Sequence, residues 1–113
     1  MYGDGSAEPL KIVGEALSNC DVLFACAAAS SENLLKNKVL AAKEKLYSIL
    51  EGIKEDGQTA LGPAIIAALG LLSQSSQRKG ASIILCTDGM ANIGVGAFSD
   101  SIEQSESTAS FYE

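Results

Sequence analysis

The feature that most limits the fold of this chain is the continuous apolar run Ala81-Ser82-Ile83-Ile84-Leu85-Cys86. It is entered through the polar turn Ser75-Ser76-Gln77-Arg78-Lys79-Gly80 and left through Thr87-Asp88-Gly89. An apolar run without alternation is what a central parallel strand looks like when both of its faces are covered. A chain with such a strand needs helices to cover it, and the flanking sequence supplies helical patterns.

Leu35, Val39, Ala42, Leu46, Ile49 and Ile53 recur at spacings of three and four, with Lys36, Lys43, Glu44 and Glu51 between them. That spacing predicts an amphipathic helix laying one stripe on a sheet. Gly52 and then Asp56-Gly57 end the pattern, and Gly57-Gln58-Thr59 forms a connecting loop. Another helix opens at Leu61-Gly62-Pro63, where proline suits the first turn because its missing N–H has no partner there anyway. It runs to about Gln74 and is apolar nearly all round, so it is expected to be heavily buried.

Upstream, the Ala-rich stretch from Leu17 to Ala29 is compatible with a helix, with Ser30-Ser31-Glu32-Asn33 closing it and capping the next. Gly3-Asp4-Gly5-Ser6 offers turn chemistry, and Leu10-Lys11-Ile12-Val13 alternates before Gly14, predicting a short strand. Downstream, Met90 to Phe98 is a loop containing Asn92, Gly94 and Gly96, and Asp100 to Glu113 begins an acidic, polar helix. Helix, loop, helix, buried strand, loop, helix is the rhythm of a doubly wound, Rossmann-like α/β fold with a mainly parallel sheet. Only one convincing central strand is present, where a sheet has about five or six. We therefore expect residues 1–113 to be one incomplete domain.

Composition fits a single globular unit. The 113 residues are 47% hydrophobic and 19% charged, with 5% aromatics and no Trp, so the core falls to Leu, Ile, Val and Ala. A net charge of -6 makes nucleic acid a poor partner. Lys36, Lys38, Lys43 and Lys45 read as the solvated face of a helix rather than as a phosphate or membrane patch. Three cysteines without a CxxC spacing, and no His, indicate neither a disulfide framework nor a zinc site. A reducing, cytoplasmic setting is the expectation, with no membrane insertion, because the apolar stretches are too short to span a bilayer.

In doubly wound folds ligands bind outside the carboxyl ends of the strands, which makes Asp56–Thr59 and Thr87–Gly96 the candidate walls of a site. Thr59 offers a hydroxyl at a helix N-terminus and Asp88 a carboxylate after a buried strand, both hard oxygen donors for a divalent cation such as Mg²⁺. Each also has a plainer reading. Asp88-Gly89 is ordinary turn chemistry, Thr59 can cap the helix that follows, and Asn92 reads as a turn residue that tolerates a left-handed backbone. Cys86 has no His to activate it and is expected in the core. Glu55 and Asp56 lie in a polar loop without a pocket partner, so no catalytic constellation is present and the chain is not expected to be an enzyme.

The stretches Gly57-Gln58-Thr59-Ala60-Leu61-Gly62-Pro63-Ala64 and Ile83-Ile84-Leu85-Cys86-Thr87-Asp88-Gly89 resemble the von Willebrand factor A family. The run Cys86 to Gly96, with Tyr2-Gly3-Asp4-Gly5-Ser6, is most similar to intracellular eukaryotic members such as the circularly permuted Ras proteins. In that family a metal-ion-dependent adhesion site combines an Asp-x-Ser-x-Ser loop, a Thr from a later loop and the Asp of a Thr-Asp-Gly loop. The resemblance implies metal roles for Thr59 and Asp88. No Asp-x-Ser-x-Ser occurs in the sequence, so the chain is expected to be a piece of such a domain, cut at both ends and weak in metal binding on its own.

What the resemblance implies about function is a protein-binding module whose intact form takes a partner's carboxylate through the cation. Two alternatives stand beside it: a metal-free structural domain like the trunk of a coat subunit, or an accessory segment of a GTPase-containing protein. No G-x-x-x-x-G-K-[ST] phosphate loop occurs in these residues. With strands missing, the stripe from Leu35 to Ile53 has too little sheet to cover, and the isolated chain is expected to expose apolar surface.

Overall fold

A computed structural model describes residues 10–31, 39–54, 57–75, 79–98 and 108–113. A short 3-10 turn, Gly14–Ser18, leads into helix α1, Cys20–Ala29; α2 spans Val39–Gly52 and α3 spans Leu61–Ser73. Residues 108–112 form one further helical turn. The Ala-rich helix thus begins three residues later than its composition suggests, and the reason is a cap. Asn19 has an extended backbone, and its Oδ1 accepts from the Val22 N–H at 3.1 Å. An amide side chain there satisfies one of the orphan donors of the first turn. At the other end the Ser30 hydroxyl donates to the Cys26 carbonyl at 3.0 Å, closing α1 where Ser30-Ser31 was expected to close it.

The other helices follow their sequence signals closely. Gly52 ends α2, and Gly57 after it has φ 56°, a left-handed turn that glycine adopts without strain. Pro63 sits buried in the first turn of α3. Buried positions on α3 are Gly62 and then Pro63, Ala67 and Gly70, the last three spaced by four and three along one face. Those on α1 are Leu23 and Ala27, four apart. The two faces pack against each other, and the residues at the contact are small. A Cβ placed on Gly70 would lie 2.5 Å from the Phe24 carbonyl oxygen and 3.0 Å from Ala27 Cβ. The backbones therefore approach as closely as a missing side chain permits.

The buried apolar core among the described residues is Leu23, Ala27, Ala67 and Ala91. Only Leu23 carries a large side chain, whose burial contributes about 1.5–3 kcal/mol. Close backbone packing and hydrogen bonding therefore carry a larger share of the fold than side-chain volume does.

The doubly wound α/β architecture is not what these residues form, since no strand and no sheet occurs among the described residues. Leu10–Val13 keeps its alternation without pairing: Leu10 and Ile12 turn toward α1 and α3, while Lys11 is exposed and Val13 is 75% exposed. The run Ala81–Cys86 is a larger correction. Every residue in it is exposed, Ile84 to 88%, and Cys86 stands in solvent rather than in a core. Among the described residues its backbone groups make no hydrogen bond. A strand exists only as a member of a pair, and no described segment offers the complementary edge.

Of the stripe, Leu46 and Ile49 are half-buried and Ile53, just past α2, is more than half exposed, as are Tyr47 and Leu50 beside the stripe. Lys43 and Lys45 are exposed, as expected of a solvated face, and the Lys43 ammonium lies 5.7 Å from the centre of the Tyr47 ring. Leu35, Lys36, Lys38, Glu55, Asp56, the turn Gly3–Ser6 and the first part of the Asp100–Glu113 helix lie outside the described residues.

The α1–α3 contact gives a sign-reversing test. In an open helix Gly→Ala stabilises by about 1 kcal/mol. At Gly70 the added methyl meets backbone, and overpacking of that kind costs about 1–3 kcal/mol. Gly70→Ala is expected to lower the melting temperature, whereas Gly52→Ala, whose Cβ meets nothing within 4 Å, is expected not to; thermal unfolding followed by circular dichroism reads both.

Candidate functional site

The polar centre of the molecule lies where the loop Met90–Phe98 closes over the N-terminus of α3. Two hydrogen bonds clasp it there. The Asn92 N–H donates to the Thr59 carbonyl at 3.0 Å, and the Thr59 N–H donates to Asn92 Oδ1 at 2.7 Å. Asn92 is thus not a left-handed turn residue, for no described residue other than glycine has positive φ. It acts as a side-chain latch between segments 33 positions apart.

Further contacts tie the loop on all sides. The Phe98 N–H donates to the Ala91 carbonyl at 2.8 Å, closing the loop around fully buried Ala91. The Val95 N–H donates to the Leu17 carbonyl at 2.9 Å. The Val95 carbonyl presses against Gly62, and Gly94, at φ 81°, packs on Pro63. From the C-terminal turn, Thr108 Oγ1 donates to the Ala97 carbonyl at 2.8 Å and the Tyr112 hydroxyl to the Gly96 carbonyl at 3.2 Å. The Tyr112 ring stacks on Phe98, centroids 6.2 Å apart.

Of the two residues singled out as metal donors, Thr59 lies against the bend that carries Asp88. A Cβ on Gly89 would lie 3.2 Å from Thr59 Oγ1, so the Thr87-Asp88-Gly89 bend rests against Thr59. The Thr87 hydroxyl holds this bend at 3.3 Å from both the N–H and the carbonyl of Gly89. Asp88 is exposed at the apex. Thr59 does not cap α3 with its side chain, because the N-cap position belongs to Ala60 and no side chain accepts there.

An apolar cavity of about 170 Å³ lies beneath, lined by Leu10, Ile12, Leu17, Leu23, Pro63 and Ala67 among others. Its lining side chains are all apolar, so no side chain there fixes the orientation of a ligand. It is an open apolar groove between the Leu10–Leu17 segment, α1 and α3.

Ninety-two residues of this chain, 81% of it, are 27% identical to Circularly permutated Ras protein 1 of Dictyostelium discoideum. The matched part is 10% of that protein's length. The chain matches no family model and no solved structure.

These findings overturn the von Willebrand factor A resemblance. No such family matches, and the parallel sheet that would support its loops is not formed by the described residues. The metal-ion-dependent adhesion site falls with it. Among the described residues no three His, Cys, Asp or Glu side chains gather as metal ligands. Thr59 and Asp88 supply two oxygens where Mg²⁺ takes about six, so the donor set present does not fit that ion. No helix among the described residues is long and apolar enough to cross a membrane.

Sequence reasoning missed the two asparagines that organise the molecule. Asn19 was legible, since Asn ahead of a helical pattern is a start signal. The role of Asn92 was not, because nothing near it in sequence points to Thr59.

Asn92→Ala removes one bond of the clasp and leaves the Thr59 N–H unpaired, at a cost of about 1 kcal/mol. Faster hydrogen exchange at the Thr59 amide is the expected readout, with Asn92→Asp retaining protection because its carboxylate still accepts. Titration calorimetry with Mg²⁺ is expected to give no saturable heat at concentrations below about 1 mM, as for a site short of ligands.

Proposed function

We propose that this chain is a non-catalytic accessory segment of a larger GTPase-containing protein. The observation that carries the reading is the 27% identity to a Ras-named protein of which the matched residues make up only 10%. A segment of that proportion is suited to contact and positioning, with the nucleotide chemistry lying elsewhere.

The geometry at the N-terminus of α3 supports the same division. Gly57 and Gly62 have the glycine spacing of a phosphate loop, but Pro63-Ala64 stand where Lys and Ser or Thr would follow. A phosphate loop works because free backbone N–H groups and a lysine converge on the anion. Here the Thr59 N–H is engaged by Asn92, Pro63 has no N–H to offer, and the Val95 carbonyl faces Gly62. A carbonyl dipole at that point repels phosphate. The place a nucleotide would take is filled by the protein's own loop.

Two measurements test this reading. The reading frame that encodes the chain is expected to encode a G-x-x-x-x-G-K-[ST] loop outside these residues. A fluorescent guanine nucleotide is expected to bind the full-length product and not the 113-residue chain. Saturable nucleotide binding by the chain alone, or a frame without a phosphate loop, would contradict it.

A further inference from the structure

The segment Ala81–Cys86 combines three properties that a folded surface rarely shows together. It is uncharged and free of Pro and Gly, it is exposed throughout, and its backbone groups make no hydrogen bond among the described residues. Ile83, Ile84 and Leu85 are 43%, 88% and 51% exposed, and Ile84 is the most exposed large hydrophobic residue described. Rows of open N–H and C=O groups with β-branched side chains are a template for pairing with another chain.

The charges at its two ends choose the occupant and the orientation. Lys79 precedes the run and Asp88 follows it, and both are exposed. A second copy laid parallel would put Lys79 beside Lys79 and Asp88 beside Asp88. Laid antiparallel, each copy's basic end meets the other's acidic end, twice by symmetry. A two-fold axis perpendicular to such a pair requires one residue to face its own counterpart. Centring on Ile84 sets Ile84 against Ile84 and Ile83 against Leu85. The Lys79-Gly80 turn before the run then lies beside the Asp88-Gly89 bend of the other copy. Asp88 stands in a bend, outside the side-to-side alternation of the run, so its carboxylate is within reach of the lysine stem. Cross-strand pairs of β-branched residues and of opposite charges both stabilise antiparallel ribbons.

We infer that two copies of this chain associate through antiparallel pairing of residues Ala81–Thr87, with Lys79 of each copy against Asp88 of the other. The pairing satisfies the open backbone groups and covers Ile83, Ile84 and Leu85 together. It does not depend on the accessory role proposed above, and a monomeric chain would leave that role untouched.

Sedimentation equilibrium of the 113-residue chain tests the inference. A dimer is expected, with Ile84→Lys raising its dissociation constant about tenfold or more, the scale of a central anchor residue. Because Ile84 is so exposed, the helical circular dichroism of that variant is expected to match the parent's. Lys79→Glu and Asp88→Lys are each expected to weaken the dimer about fivefold, and the double variant to restore it, as complementary charges require. In a background with Cys20, Cys26 and Cys86 changed to Ser, Ile84→Cys is expected to give a disulfide-linked dimer on mild oxidation, and Val13→Cys is not. A monomeric parent, a dimer indifferent to Ile84→Lys, or charge reversals that fail to compensate would each overturn the pairing.

Discussion

The arrangement of the described residues around the head of α3 depends on how closely α1 and α3 approach at Gly70. With the Phe24 carbonyl and Ala27 Cβ where a side chain would begin, the contact admits only glycine, and the neighbouring residues, Ala27 and Ala67, are the next smallest. Small residues forgo much hydrophobic stabilisation, since it scales with the apolar area removed from water. They gain dispersion contacts over a long stretch of backbone instead. One buried leucine is then enough to fill the contact, and the N-terminus of α3 is held in a fixed place relative to α1.

That fixed N-terminus is what the loop Met90–Phe98 is built against. A loop of this length is ordered only if its own polar groups find partners. Here Asn92, Val95, Ala97 and Phe98 are bonded to Thr59, Leu17, Gly94 and Ala91. Gly94 and Gly96, both left-handed, turn the backbone so that its carbonyls reach the α3 terminus and the Tyr112 hydroxyl. The end of α3 that would ordinarily attract an anion therefore receives a carbonyl. The same packing that stabilises the loop removes the electrostatic basis for phosphate binding.

Local signals in the sequence were legible wherever the relevant physics is itself local. Pro63 at the start of α3, Gly52 at the end of α2, Ser30 at the end of α1 and the glycines of the Met90–Phe98 loop each act on the backbone within a turn of themselves, and each stands where its chemistry places it. The nearness of Thr59 to the Asp88 bend was also legible. What failed was non-local. An apolar run such as Ala81–Cys86 records that it needs cover, but the cover is a property of other segments, and the parallel sheet was read from the rhythm of helices around a single central strand. The latch from Asn92 to Thr59 failed to show for the same reason, because neither residue carries a mark of its distant partner.

The exposed run and the clasped loop are not separate regions. Thr87, Asp88 and Gly89 leave the run and pass directly against Thr59, whose N–H and carbonyl both belong to Asn92. Any edge that orders Ala81–Cys86 must set the direction in which the chain enters that bend, and the bend leaves little room for a side chain, since a Cβ on Gly89 would lie 3.2 Å from Thr59 Oγ1. Pairing at the run and packing at the head of α3 are then solved by one backbone path. A bulkier residue at Gly89 would disturb both, which makes the Thr-Asp-Gly turn structurally exacting in its own right.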